Sequence, residues 1–157
     1  MTYQKGFTLI EILIVLAIIG ILAGIFGLSL IRSIRGAELR EAASQVATDF
    51  RRARSQAQRG SADVTIEWTQ TGADNTATTY TVNGVSRSLP SGVKLSCTSG
   101  CTGPGKKTVT YMAPYGELDA VGNVIALKSP ATSLGLTDLE VRVVGVTGKV
   151  ILMKAES

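Results

Sequence analysis

The chain has 157 residues, a length that suits one modest domain with an appended element. It contains no histidine, which excludes His-based catalytic triads, His general bases and most zinc sites. Its net charge of +4 is concentrated in residues 32–59, with seven arginines against three acidic residues, whereas residues 60–157 hold eight basic and eight acidic side chains. The charge therefore indicates a local basic segment and gives no support to a nucleic-acid-binding domain.

The chain begins with a short polar stretch, residues 1–6, that carries one cation. An apolar run follows at residues 7–31, interrupted by Glu11 and by a few small polar groups. As a helix rising about 1.5 Å per residue, this run would extend roughly 37 Å, which exceeds the ~30 Å hydrocarbon core of a bilayer. The sequence therefore predicts one membrane-spanning helix at residues 7–31.

Helical periodicity continues beyond the apolar run, over residues 32–60. Apolar side chains recur there at steps of three and four, which draws one stripe along a helix. Gly60 followed by Ser61 is a helix stop signal. The stripe requires another element to cover it. Its members are Leu39, Ala42, Val46, Phe50, Ala53 and Ala57.

Residues 61–157 are polar, rich in Gly and Thr, and contain segments that alternate as strands do. Gly-containing turns separate these segments, and the turn at residues 145–148 joins the last two into a β-hairpin. An antiparallel sheet built from them would cover the apolar stripe of the helix, which predicts an α+β fold. The predicted strands are residues 63–68, 78–83, 107–112, 123–128, 139–144 and 149–154.

Two cysteines, Cys97 and Cys101, lie in the loop-like sequence CTSGC, within a candidate flexible loop at residues 97–106. A membrane anchor that leaves the bulk of the chain outside the cytoplasm places them in an oxidising compartment, where a local disulfide is expected. A pair of free thiols is the alternative. A metal site is disfavoured because no further soft ligand lies nearby in the sequence.

Glu11 is the one charged residue in the apolar run and is therefore the first candidate functional residue. A carboxylate within a membrane helix is unfavourable unless it has a partner. Cleavage after Gly6 would free the α-amino group of Phe7, which is a cation at membrane depth. Pairing of this amine with Glu11 of a neighbouring subunit, in a low dielectric, would set the axial register of stacked subunits.

The sequence K-G-F-T-L-I-E at residues 5–11, followed directly by the apolar run, resembles the class III signal of type IV pilins and type II secretion pseudopilins. The resemblance implies that a membrane prepilin peptidase removes residues 1–6 by cutting between Gly6 and Phe7, that the same enzyme N-methylates Phe7, and that Glu11 acts in assembly. An ordinary secretory signal peptide is a weaker interpretation, because it would not readily tolerate so early a glutamate and its core would be shorter. A plain single-span anchor with an accidental glutamate is the other alternative.

Four small residues lie on one face of the apolar helix, at steps of three, four and three. A helix face made of small residues lets two helices approach closely in lipid. This face therefore predicts helix packing in a filament core. The alternative is the ordinary abundance of Gly and Ala in membrane helices. The four residues are Ala17, Gly20, Gly24 and Gly27.

The second half of the chain resembles the GspH/FimT group of minor pilins and pseudopilins. In that group a helix ending in an A-R-S-x-A-like run leads into the first strand, and a Gly turn and a closing hairpin follow later. The resemblance implies a type IV pilin-like fold, and a minor or tip-proximal subunit rather than the main building block. The matching residues are Ala53, Arg54, Ser55 and Ala57, with residues 111–116 and 146–150.

Some members of the GspH/FimT group bind DNA through a basic motif in the C-terminal hairpin, which makes nucleic acid a second candidate partner. This chain departs from that motif, because the last glycine is followed by Lys149 and then by four apolar residues. Lys149 and Lys154 are the candidate phosphate contacts, with Lys106 and Lys107 in a predicted loop, but solvated lysines at strand ends are the favoured interpretation. The arginines within residues 51–59 are interpreted as solvating the helix or contacting acidic lipid headgroups.

The sequence carries no motif for nucleophilic catalysis or phosphate binding, since G-x-S-x-G, G-x-x-x-x-G-K-[ST] and G-x-G-x-x-G do not occur. It therefore predicts a structural subunit that is not an enzyme and needs no cofactor or metal. Its expected partners are other pilin or pseudopilin subunits, the prepilin peptidase/N-methyltransferase and an inner-membrane assembly platform. We expect it first in the bacterial inner membrane, crossing once with its globular domain outside the cytoplasm, and then in a periplasmic or extracellular filament.

Overall fold

The structure, a computed structural model, describes residues 6–103 and 105–155, except for the side chain of Leu28. One α-helix, α1, comprises Leu9–Arg59. The chain divides into two compact units between Ile34 and Arg35, so α1 contributes residues to both. The two units bury their apolar side chains very differently and are therefore described separately.

In the N-terminal unit, α1 is almost wholly apolar and exposed. It contains a stretch that is long and apolar enough to cross a membrane, and no part of that stretch is buried within the structure. Exposed apolar surface of this extent is unfavourable in water. The unit therefore requires lipid or other protein chains around it.

In the globular unit, α1 buries one face. All six members of the predicted apolar stripe are buried, which confirms the stripe. Two further alanines, Ala43 and Ala47, are also buried and widen it. The ring of Phe50 meets the ring of Tyr111 edge to face, with 6.5 Å between the centroids. The buried face of α1 and the inner faces of the strands form one hydrophobic cluster.

Over the described residues, nine strands form two antiparallel sheets. The first sheet has the order β3-β2-β1-β5-β6 and the second the order β4-β7-β8-β9. The strands are β1 (Val64–Thr69), β2 (Thr79–Val82), β3 (Val85–Ser88), β4 (Lys94–Ser99), β5 (Lys106–Met112), β6 (Glu117–Leu118), β7 (Asn123–Lys128), β8 (Leu139–Val144) and β9 (Lys149–Lys154). Short 3₁₀ turns lie at Pro90–Gly92 and Thr132–Leu134.

The predicted α+β fold class is confirmed, with two sheets in place of the one antiparallel sheet that we expected. Every predicted strand is present close to its predicted bounds, whereas β3, β4 and β6 were not predicted. The β2–β3 turn at Asn83 and Gly84 has positive φ at both residues, 49° and 81°, as tight hairpin turns require. The side chains of β3 are all exposed, so it lacks the apolar alternation that marks a strand.

The predicted C-terminal hairpin is confirmed: β8 pairs with β9, and Val144 lies opposite Lys149. Its turn depends on Gly148, where φ is +62° and a Cβ atom would lie 2.5 Å from Cε1 of Tyr111. Only glycine permits this approach without displacing the ring. The hairpin therefore packs directly on the core, and Lys149 begins its last strand there.

Candidate functional site

The predicted cleavage position lies in an exposed, non-helical segment. Gly6, Phe7 and Thr8 precede the first turn of α1, and the Phe7 side chain is 80% exposed. Exposed, irregular segments are the ones that proteases cut most readily. Residues 1–5 of the predicted leader lie outside the described residues.

Thr8 caps α1, a role that the sequence interpretation missed. Its hydroxyl oxygen accepts a hydrogen bond from the backbone N–H of Glu11, at 3.3 Å. This satisfies one of the N–H groups that the first helical turn leaves free. The signal was present in the sequence as T-L-I-E, because a threonine followed three residues later by glutamate is the capping-box pattern. The cap makes the helix begin at Leu9, two residues after the predicted new N-terminal residue, Phe7.

Glu11 lies in the first turn of α1 and is exposed. A carboxylate at this end of a helix is stabilised by the helix dipole by about 0.3–1 kcal/mol. In the part of the chain that the structure describes, the ion pairs lie from Arg35 onward and none includes Glu11. A cation for this carboxylate at membrane depth therefore has to come from outside these residues.

The predicted packing face of α1 is open. A Cβ atom added at Gly20, Gly24 or Gly27 would meet nothing within 4 Å, and Ala17 is exposed on the same face. Among the described residues of this unit, no contact accounts for the small side chains. Their role in packing against a second helix stays a prediction.

Comparison with known proteins agrees with this arrangement. Residues 1–27 match the prokaryotic N-terminal methylation motif. The fold is similar to the crystal structure of the type IV minor pilin FimU of Pseudomonas aeruginosa strain PAO1, with a TM-score of 0.54 and 14% sequence identity over 75% of this chain and 98% of that chain. The chain thus carries this motif and has a type IV pilin-like fold. No curated protein matches its sequence.

The two cysteines of the pilin-like chain are bonded in the structure, Cys97 to Cys101. Cys97 lies in β4 and not in a loop, so the segment predicted as a loop at residues 97–106 begins inside a strand. Because β4 is an edge strand of the second sheet, the bond ties the following turn to that edge.

The structure does not gather the four lysines considered for phosphate contact. Lys106 forms a 2.9 Å ion pair with Glu67, and Lys107 donates to the carbonyl of Gly103 at 2.8 Å. Both lie in β5, which agrees with the predicted strand at residues 107–112 and corrects the placement of Lys106 in a loop. Lys149 and Lys154 begin and end β9, on opposite faces and roughly 17 Å apart along the strand. These lysines therefore form no common surface.

Lys149 does lie beside two arginines of α1. A hollow of about 340 Å³ separates the helix from the β8–β9 turn. No local sequence pattern indicates this juxtaposition, because about 95 residues separate its two sides. The lining residues are Arg51, Arg54, Ser55, Gln58, Gly148, Lys149 and Val150.

A buried polar contact fixes the globular part of α1 against the first sheet of the pilin-like chain. The hydroxyl of Tyr80 donates to Asp49 Oδ2 at 2.7 Å, and Gln45 Nε2 donates to the Tyr80 oxygen at 3.2 Å. Burial, together with the hydrogen bond to Asp49, raises the pKa of the Tyr80 hydroxyl. The Asp49 carboxylate also lies 3.7 Å from Arg52. The polar groups of this cluster contact one another, so we interpret the cluster as structural.

Proposed function

We propose that this pilin-like protein is a structural subunit, a minor pilin or pseudopilin, of a type IV pilus or a type II secretion pseudopilus. The observation that supports the proposal best is the exposed apolar stretch of α1, which overlaps the match to the methylation motif. A helix that buries nothing in its own unit is suited to exchange lipid contacts for contacts with identical helices. The fold shared with a minor pilin and the resemblance of residues 53–57 to the GspH/FimT group favour a minor subunit over the main building block.

In this proposal the precursor is processed before it assembles. Prepilin peptidase cuts between Gly6 and Phe7, and the new terminal amine of Phe7 is methylated. The exposed, non-helical setting of this bond supports the step. The cap at Thr8 keeps the helix start beside the new terminus, so the amine is presented at a defined place.

The proposal divides the chain into four parts with separate tasks. Residues 1–6 form the leader, residues 7–31 the membrane and assembly helix, residues 32–60 its amphipathic continuation, and residues 61–157 the β-domain. Before assembly the protein crosses the inner membrane once, with the β-domain outside the cytoplasm. Afterwards it lies in a periplasmic or extracellular filament.

Glu11 supplies the register between subunits. Its carboxylate has no cationic partner among the described residues, and the amine of Phe7 on an adjacent subunit is the cation that processing creates. In low dielectric such a pair is strong, and removing one member leaves an uncompensated charge. Apolar packing, including the face of Ala17, Gly20, Gly24 and Gly27, supplies the larger share of the association energy.

The test is incorporation of a Glu11→Gln variant into filaments in cells that supply the peptidase and the assembly platform. We expect the variant to be processed and to reside in the membrane, with at least about tenfold less protein in the sheared filament fraction, because loss of a buried pair exceeds about 1.4 kcal/mol. Glu41→Gln is the matched control, since Glu41 is an exposed acid of α1 in the globular unit. Equal incorporation of the Glu11 variant and the control would contradict the proposed role of Glu11 in setting the register between subunits.

A DNA-binding role in natural transformation is the second candidate function. It is favoured by one observation, the position of Lys149 beside Arg51 and Arg54. It is opposed by the separation of Lys149 from the other three candidate lysines. Binding of duplex DNA at two salt concentrations tests it, because phosphate contacts make affinity fall steeply with salt. A salt-dependent affinity that disappears in the Lys149→Gln, Lys154→Gln double variant would support it.

A further inference from the structure

We infer that the hollow between α1 and the β8–β9 turn is an oxyanion site, which binds one carboxylate or phosphate group through Arg51, Arg54 and Lys149. It lies wholly within the globular unit. The inference does not depend on the membrane helix or on filament assembly, so its test is independent of the test of the proposed function.

One face of α1 forms the first wall of the hollow. Arg51, Arg54, Ser55 and Gln58 are spaced at i, i+3, i+4 and i+7, which places them on a single helical face. Gln58 is held in place because its side-chain amide donates to the carbonyl of Tyr115 at 3.1 Å. The arginines of this face therefore project from a rigid, packed helix rather than from a loop.

The β8–β9 turn forms the second wall. The missing side chain of Gly148 lets the turn pack against Tyr111, and this brings the next residue, Lys149, to the hollow. Arg51 reaches across to the same strand, where its Nη2 donates to the carbonyl of Val150 at 3.4 Å. Two elements that are distant in the sequence thus converge on the same space.

The charges around the hollow are unbalanced. Three of its lining residues are cations and none is acidic. Elsewhere on α1, Arg35 pairs with Glu38 and Arg52 with Asp49. Arg59 donates to Ser55 instead of to a carboxylate. Among the described residues, Arg51, Arg54 and Lys149 form no ion pair. An anion in the hollow would relieve the repulsion among them.

The side chain of Arg54 gives the clearest sign of a missing ligand. Its Nε atom is buried and has no hydrogen-bond partner among the described residues. Buried donors are nearly always satisfied, and each exception needs an explanation. The guanidinium group offers donors in a planar fork that matches the oxygens of a carboxylate or phosphate. An oxyanion that displaces the atoms covering Nε would accept the hydrogen bond that Arg54 lacks.

The placement of the cations in the hollow favours a single anionic group. The volume of the hollow, about 340 Å³, is at the small end of ligand pockets, which span about 300–1,000 Å³. The next lysine along β9, Lys154, is on the opposite face of the strand, so the cations do not continue as a track for a polymer. The arrangement thus favours one oxyanion over a nucleic acid. Two sources are open to it, a free anion or an acidic side chain of a second copy of the chain.

The first experiment measures phosphate and acetate binding by the full chain in non-ionic detergent, by calorimetry, with chloride added to keep the ionic strength constant. We expect saturable binding of at least one anion, weakened at least about tenfold in Arg54→Gln and in Lys149→Gln. Lys149 is exposed, so its variant keeps the test valid if Arg54→Gln fails to fold. Arg40→Gln, which removes an exposed arginine of α1 outside the hollow, should bind as the parent does.

A second arm identifies the source of the oxyanion. If a second copy supplies it, sedimentation in the same detergent should show self-association that phosphate abolishes and that Lys149→Gln lacks. If a free anion fills the site, the association state should not respond to phosphate while binding persists. Absence of binding by both anions together with no phosphate-sensitive association would overturn the inference. Equal affinity in the parent and both site variants would also overturn it, as would binding of duplex DNA alone.

Discussion

The two units of this chain carry similar apolar side chains on one helix and place them in opposite environments. In the N-terminal unit, Ile21 is 66% exposed. In the globular unit, Phe50 is 1% exposed and contacts Tyr111. The difference lies in which residues pack against the helix. Strands of residues 61–157 bury the part of α1 in the globular unit, whereas the described residues of the N-terminal unit include no element that packs against its part of α1.

This contrast explains how one helix can serve two purposes. The globular unit buries its apolar stripe in a single cluster, which gives it the hydrophobic driving force for folding. In the proposed function, the apolar surface of the N-terminal unit contacts lipid before assembly and other helices afterwards. Mutations of equal chemistry in the two stretches should therefore have unequal effects on folding.

The largest difference is expected between Phe50→Ala and Ile21→Ala. Removing the Phe50 ring leaves a cavity beside Tyr111 and should lower the free energy of unfolding of the globular unit by about 3–5 kcal/mol. Ile21→Ala should change it by less than about 0.5 kcal/mol. Denaturant titration of the full chain in detergent measures both, because the single tryptophan, Trp68, is buried in β1 of the globular unit. Similar losses in the two variants would mean that the units do not differ as described.

A smaller effect is expected from Gly148→Ala. The new Cβ would strike the Tyr111 ring in addition to holding a positive φ, so the variant should lose about 2–4 kcal/mol of unfolding free energy. Gly145→Ala is the control at the other end of the turn. Its φ is also positive, at +68°, but its Cβ would make only ordinary contacts at 3.8 Å, which limits the loss to about 1–2 kcal/mol. Denaturant titration followed by Trp68 fluorescence measures the unfolding free energy of both variants. Equal losses would show that the contact of the turn with Tyr111 adds nothing to the effect of a positive φ.

Features that depend on local patterns were predictable from the sequence. The stripe from Leu39 to Ala57 followed from helical spacing, and the C-terminal hairpin followed from alternation around two glycines. The same reasoning missed β3, because a strand with four exposed side chains has no apolar signal. It placed Cys97 in a loop because K-L-S-C-T-S alternates too weakly to mark β4.

Features that depend on distant parts of the chain were not predictable. Arg51 and Arg54 were interpreted as solvating the helix, since nothing near them in the sequence indicates that Lys149 lies across a shared hollow. The contact between Asp49 and Tyr80 also joins two elements whose packing the sequence does not specify. The number of sheets was also not predictable, because strand order is set by pairing between distant parts of the chain.

The central claim is that the exposed apolar helix becomes an assembly element once residues 1–6 are removed. The most direct test is mass spectrometry of the protein isolated from cells with and without a prepilin peptidase. The account predicts a mature chain that begins at N-methylated Phe7 when the enzyme is present and an intact chain beginning at Met1 when it is absent. A chain that keeps Met1 in the presence of the active enzyme, or that is cut at another bond, would contradict it.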